Sequence, residues 1–236
     1  MAIRWRHSAG RLAALAALAL AGPAAAGIDP ANPTCPDNPG WATFPQMRFT
    51  LDASRGTRAL RAEGVIDDGA ATRLAAALTS NAPVEEIWLS SPGGNAAIGN
   101  EAGRLIRKAM IPTRVPSGAA CFSACNFLFM GGPIRSVDSG GLFIVHMFTH
   151  TANRALIDVE VSKGANATVG LIGEIEQSSA ILATEDNDFL IRMGVSRKLL
   201  SDVMYQQKAV ETEGEDRSTR RCLTTEELKR YNVVNL

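Results

Sequence analysis

A chain of 236 residues, 46% hydrophobic and 20% charged, has the length and composition of one full-size folded domain and excludes a disordered polymer. Its 24 Lys and Arg residues offset 24 Asp and Glu, so the formal net charge is zero and the balance gives no support to a nucleic-acid partner.

At the N-terminus Arg4, Arg6 and Arg11 stand without an acid ahead of an apolar run from Leu12 to Gly22. Pro23 breaks the run, and Ala24-Ala25-Ala26 supplies the small residues a signal peptidase accepts. This order reads as a cleaved secretory signal over residues 1–26, with the cut after Ala26. The apolar run is shorter than the ~20 residues a bilayer span needs, and no transmembrane span is expected in the mature chain. Cleavage removes three Arg and no acid, leaving 21 basic against 24 acidic residues, a net charge of −3. The expected location is the periplasm or the extracellular medium.

Export permits disulfides, and Cys35, Cys121, Cys125 and Cys222 all lie in the mature part. Four cysteines allow three pairings, and the sequence alone does not choose among them. Cys121 and Cys125, four apart on a regular helix, would hold their Cβ atoms ~5–6 Å apart, beyond the ~4 Å a disulfide needs. The pair is feasible if Cys121 precedes the helix, and Cys35 with Cys222 then ties the two ends together. Four buried free thiols are the alternative.

Residues 27–45, rich in Pro, Gly, Asn and Asp, read as an irregular arm before a single domain at 46–236. Strands are predicted at 47–52 and 58–66, separated by a turn-forming SRG. A helix over Gly69–Ser80 has Ala71, Leu74, Ala75 and Leu78 on one face. Val84–Leu89 is a short apolar strand, ended by the breaker Ser91-Pro92-Gly93-Gly94. A second helix follows, with Ile98, Ala102, Leu105, Ile106 and Ala109 aligned. Thr113–Val115 is a strand, Phe122–Met130 a compact apolar helix, and Leu142–His146 a buried strand. This rhythm predicts an α/β fold with a mostly parallel sheet covered by helices. Residues 151–206 read mainly as helix, with Leu171, Ile172, Ile175, Ile181 and Leu182 at helical spacings, and Gln206–Arg221 as a polar loop. Thr224–Glu227 fits a capping box before Leu228, and Val233-Val234 a final short strand.

Two glycine-bearing turns frame the chemistry. Ser91–Gly94 lies where a strand end meets a helix start, so its N–H groups are free to face an anion. Gly118–Ala124 opens the next helix and puts Ser123 on its first turn, where the dipole favours an alkoxide; the alternative is a serine that only caps or packs that helix. His7 leaves with the signal. His146, ending the strand GLFIV, can serve as a general base to a group on the same sheet edge, or be an ordinary hydrogen-bonded core residue. Cys121, Cys125, His146 and His150 have the ligand types of a zinc site, but a C-x3-C inside an apolar helix argues against it, and neither metal nor cofactor is expected.

In order, IWLSSPGG, a helix, and GAACFSACNFLFMGGPIRSVDSGGLFIVH resemble the Clp protease catalytic subunit within the Clp/crotonase superfamily. Its members have an N-S-P-G-G turn, a G-x-A-A-S-M-type nucleophile helix, a downstream Gly and Arg, and a strand ending in histidine. The resemblance covers about residues 58–147, and CLTTEELKRYNVV is similar to the family's closing segment. It implies an α/β ββα spiral of repeated strand–helix units, with residues 151–206 as a helical handle that forms homo-oligomers. It also implies Ser123 as nucleophile, His146 as general base, and the backbone donors of Gly93 and Ala124 as an oxyanion hole. The reaction implied is attack on a peptide carbonyl, giving an acyl-enzyme that water releases, with a peptide or protein as substrate.

Three departures stand out. Ser123 lies five residues after Gly118 instead of four, and Cys121 and Cys125 bracket it, where a disulfide suits an exported relative. Arg220 occupies the position of the family's catalytic Asp, and an Arg beside His146 disfavours the imidazolium that a working base becomes. The choices are then a Ser–His dyad, a triad closed by another acid such as Asp216, or a catalytically silent module that binds peptides or partner proteins. Acyl-CoA chemistry of the crotonase branch conflicts with export.

Overall fold

The computed structural model describes residues 27–54, 56–148, 154–208 and 218–236. The expected signal, residues 1–26, lies outside the described residues, as do His150 and Asp216.

Among the described residues, strands β1 (Arg48–Asp52), β2 (Ala59–Glu63), β3 (Glu86–Ser90), β4 (Thr113–Val115) and β6 (Arg135–Val137) form one sheet in the order β1-β2-β3-β4-β6. β1 runs antiparallel to β2, and the other pairs are parallel. Alternation is clearest in β3, which buries Ile87 and Leu89 and leaves Glu86, Trp88 and Ser90 half-buried. A second sheet orders β5 (Ala120–Phe122), β7 (Leu142–His146) and β8 (Arg220–Cys222), with β5 parallel and β8 antiparallel to β7. The two sheets meet just past β3. There the Ser91 N–H donates to the Ala120 carbonyl at 2.8 Å, and the Phe122 N–H donates to the Ser91 carbonyl at 3.0 Å. This junction carries the SPGG turn against the serine segment.

Helices α1 (Ala70–Ser80), α2 (Ala96–Ala109) and α3 (Cys125–Gly131) cover the sheets. The Asn95 side chain caps α2 by accepting from the Ile98 N–H at 3.2 Å, and Arg107 and Lys108 complement the dipole in its last turn. Gly99, Ala102, Gly103 and Ile106 form its buried stripe. The stripe is small because α3 lies against it, where a side chain on Gly131 would collide with the Gly103 carbonyl. Every residue of α3 is buried, so its sequence is uniformly apolar instead of periodic. The helix predicted at Phe122–Met130 starts only at Cys125, Phe122 ending strand β5 instead; β5, β6 and β8 are additions to the predicted strands, β8 taking the end of the loop read over Gln206–Arg221.

The predicted helical region comprises α4 (Arg154–Ser162), α5 (Ala165–Met193), α6 (Lys198–Asp202) and a 3-10 turn at Met204–Gln206. α4 buries nothing, and the 29-residue α5 buries only Asp186, Phe189, Leu190 and Met193 near its end. There Phe189 meets Phe127 edge-on at 5.1 Å. Leu156, Val159, Val161, Val169, Ile172 and Ile181 stay exposed along the rest.

The closing segment holds helix α7 (Thr225–Arg230) with the expected capping box between Thr224 and Glu227. Val233-Val234 forms no strand, because another group claims its backbone: Arg135 Nε donates to the Val233 carbonyl at 2.8 Å. The Arg135 guanidinium, fully buried, also donates to the carbonyls of Gly132, Met193 and Asn232 at 2.9, 3.2 and 2.9 Å. Burial, and then the neighbouring Arg107, push its pKa down to about 10. This one cation ties the exit of α3, the end of α5 and the chain's last residues together. A Cys35–Cys222 disulfide fastens the arm to β8, with Cα atoms 5.2 Å apart.

Candidate active site

Strand β5 ends at Phe122, and Ser123 turns the chain into α3 with φ of 57°. A positive φ is costly for serine and needs support from its surroundings. The Ser123 carbonyl accepts from the Asn126 N–H at 2.9 Å, and the Cys121–Cys125 disulfide bridges the turn with Cα atoms 5.3 Å apart. The pairing works because Cys121 is in the strand and only Cys125 in the helix. Ser123 therefore precedes the first helical turn, one step earlier than the sequence suggests. Gly93 packs directly under it. A β-carbon there would lie 2.6 Å from the Phe122 carbonyl oxygen and 2.7 Å from Ser123 Cβ, and its φ of 88° is a glycine conformation.

His146 ends β7, one strand over from Phe122, whose ring packs on the imidazole at 4.6 Å. Its Nε2 lies 2.7 Å from Ser123 Oγ. Its Nδ1 lies 2.9 Å from Oγ of Ser218, itself buried. The structure thus brings together Ser123 and His146 and adds a hydroxyl on the second nitrogen. Ser218 is absent from the sequence-derived candidates. Its signal is the strand period: β8 pairs His146 with Arg220, so the residue two before Arg220 shares the face of the imidazole.

Arg220 does not face His146 as an uncompensated charge. Its Nη2 donates to Asp29 Oδ2 at 3.1 Å, and its guanidinium lies 5.5 Å from the Trp41 ring, which stacks on Phe122. A hydrogen bond from Asn32, aided by Arg220, holds the Asp29 carboxyl below its usual range against the opposing effect of burial. The expected opposition of Arg220 to an imidazolium is corrected accordingly: the arm supplies a counter-ion.

The oxyanion-hole assignment also changes at one position. The Gly93 N–H donates to Ser91 Oγ at 3.1 Å and is already engaged. Gly94, Ser123 and Ala124 line a cavity of about 710 Å³, and no described residue accepts from the Gly94 or Ala124 N–H. The Gly94 and Ala124 amides are therefore the candidate donors on the cavity side, with Gly93 packed under Ser123. The zinc alternative loses both thiolates to the disulfide, and among the described residues no cluster of three or more His, Cys, Asp or Glu is placed to hold a metal.

The rest of the cavity is mostly apolar, walled by Phe127, Met130, Leu190, Leu200 and Met204. Asp186, also in its wall, is 6% exposed and accepts no described hydrogen bond. Burial, and secondarily Glu185, push its pKa up to about 7; burial and Asp186 together raise that of Tyr205 nearby. In sequence Asp186 is visible only as an acid three, four and seven residues before Phe189, Leu190 and Met193, on the apolar face of α5.

Among the described residues no helix is long and apolar enough to cross a membrane. No protein-family model matches the chain, and no curated protein does. Among solved structures it is similar to a serine-to-alanine mutant of the 1510-N membrane-bound stomatin-specific protease, at 16% identity and a TM-score of 0.46, covering 75% of each chain. It is likewise similar to an asparagine-to-aspartate mutant of ClpP1 from Listeria monocytogenes, at 17% identity and a TM-score of 0.46, over 76% of this chain and 90% of that one.

Proposed function

We propose that this protein is an exported, Clp-like serine hydrolase that cleaves peptides through Ser123, with His146 as general base. The observation that carries the reading is the continuous line Ser123 Oγ, His146, Ser218 Oγ, at 2.7 and 2.9 Å, opening into a cavity beside two backbone donors. For Nε2 to accept the serine proton, Nδ1 carries the other proton and donates it to Ser218 Oγ. Ser123 Oγ attacks the scissile carbonyl carbon as its proton passes to Nε2. The Gly94 and Ala124 amides stabilise the oxyanion. The imidazolium then protonates the departing amine as the C–N bond breaks, and water releases the acyl group by the same route.

The Ser218 hydroxyl on Nδ1, which stabilises an imidazolium less than a carboxylate does, favours the second reading, a silent peptide-binding module. Export by cleavage after Ala26 accounts for the two disulfides. The exposed apolar residues along α4 and α5 support assembly into a homo-oligomer. The test is labelling by an uncharged fluorophosphonate. Wild type is expected to label, Ser123→Ala not at all, and His146→Ala at least ~100-fold more slowly. An unlabelled wild type, or equal labelling of the Ser123→Ala protein, sinks the hydrolase reading.

A further inference from the structure

We infer that Asp186 is a specificity determinant: the cavity beside Ser123 receives the cationic side chain of a Lys or Arg in the substrate, and Asp186 is its counter-ion. The word substrate rests on the hydrolase reading; the cation site does not. Asp186 is more than nine-tenths buried, its Oδ1 is wholly shielded, and no described residue donates to either oxygen. None of the described residues lining the cavity is Lys or Arg, so no described lining residue sets a permanent cation on this carboxylate. Buried charges are normally paired, and an acid left without a partner in a binding cavity is complementary to a charge the ligand supplies.

The walls fit the same occupant. The same cavity is lined by Phe127, Met130, Leu190 and Met204, apolar surface suited to a methylene stem that carries its charge at the tip. The volume of about 710 Å³ accommodates such a side chain with adjoining peptide. The other titratable groups at hand are Glu185 on the same helix, Tyr205 from the 3-10 turn and His146, which lines the same cavity. With its pKa near 7, the carboxyl is largely ionised at pH 8, where the site is to be tested.

The experiment has two arms. In the first, benzamidine and its neutral isostere benzamide are titrated calorimetrically at pH 8 into Ser123→Ala protein with and without D186N, urea midpoints serving as the control for folding. Benzamidine is expected to bind at least 10-fold more weakly to the D186N protein, and benzamide to be indifferent to the substitution. No benzamidine binding, or binding insensitive to D186N, overturns the proposal. In the second arm, wild type is labelled by diphenyl phosphonates bearing a lysine or a norleucine side chain. The lysine probe is expected to react at least 10-fold faster, and the preference to reverse in D186N. Equal rates overturn the specificity role. Failure of every phosphonate, including the uncharged fluorophosphonate, removes the hydrolase reading and leaves the cation site to the calorimetric arm.

Discussion

Replacing Asp186 with Asn turns an isolated buried carboxyl into a measurable dependence of stability on pH. The carboxyl titrates at its ordinary 3.8 when the chain is unfolded and at about 7 in the folded protein. Because folding raises the pKa, the native state holds the proton more tightly. The contribution is fully present below the unfolded value and is lost as pH rises through the folded one. The rise from 3.8 to about 7 corresponds to roughly 4 kcal/mol in all, of which about 2–3 kcal/mol falls between pH 5 and pH 8. Asn does not titrate, so whatever its unpaired amide costs is the same at both values. Relative to wild type, the D186N protein is therefore expected to gain about 2–3 kcal/mol on going from pH 5 to pH 8. Urea denaturation with the disulfides intact measures this, provided the m values agree. A stability gap that stays constant between the two pH values refutes the claim that burial dominates at Asp186.

Ser218→Ala is expected to lower kcat about 3- to 10-fold with KM unchanged, the value of one hydrogen bond to His146, while Ser218→Asp raises kcat by better stabilising the imidazolium. Steady-state kinetics on a peptide ester decides it, and an unaltered kcat in the alanine variant removes Ser218 from the line. The two disulfides differ in reach, since Cys35 and Cys222 are 187 residues apart and Cys121 and Cys125 only four. Paired alanine substitution is expected to cost about 5 kcal/mol at the first and about 2 kcal/mol at the second, read from denaturant midpoints. Arg135→Met removes the side-chain donor to the Val233 and Asn232 carbonyls and leaves those of Gly132 and Met193 to Arg107 alone, and is expected to cost at least ~3 kcal/mol, measured the same way.

What chain order determines about this protein is its alternation of elements and the residue types at their ends. From Met47 to Val115 the strands and helices are legible because each half-buried element prints its period in the sequence. Ser123 and His146 are legible as candidates for a nucleophile and a base only through the resemblance of the segments that carry them. Legibility stops where burial is complete. In ACFSACNFLFM nothing periodic separates β5 from α3, since every side of both is covered, and the boundary is decided by a positive φ at Ser123 that serine itself does not announce. The zero net charge of the whole chain likewise says nothing about local pairing: Arg220 is compensated by Asp29, 191 residues away, and Asp186 by no described group. Ser218 lies 72 residues from His146 and reaches it only because β8 pairs antiparallel to β7. The Gly93 amide, eligible as a donor by its place in the turn, is taken by Ser91 Oγ two residues before it. Hydrogen bonds and desolvation act over a few ångströms, so only the tertiary structure decides which of the eligible groups meet, and which is left alone in the cavity.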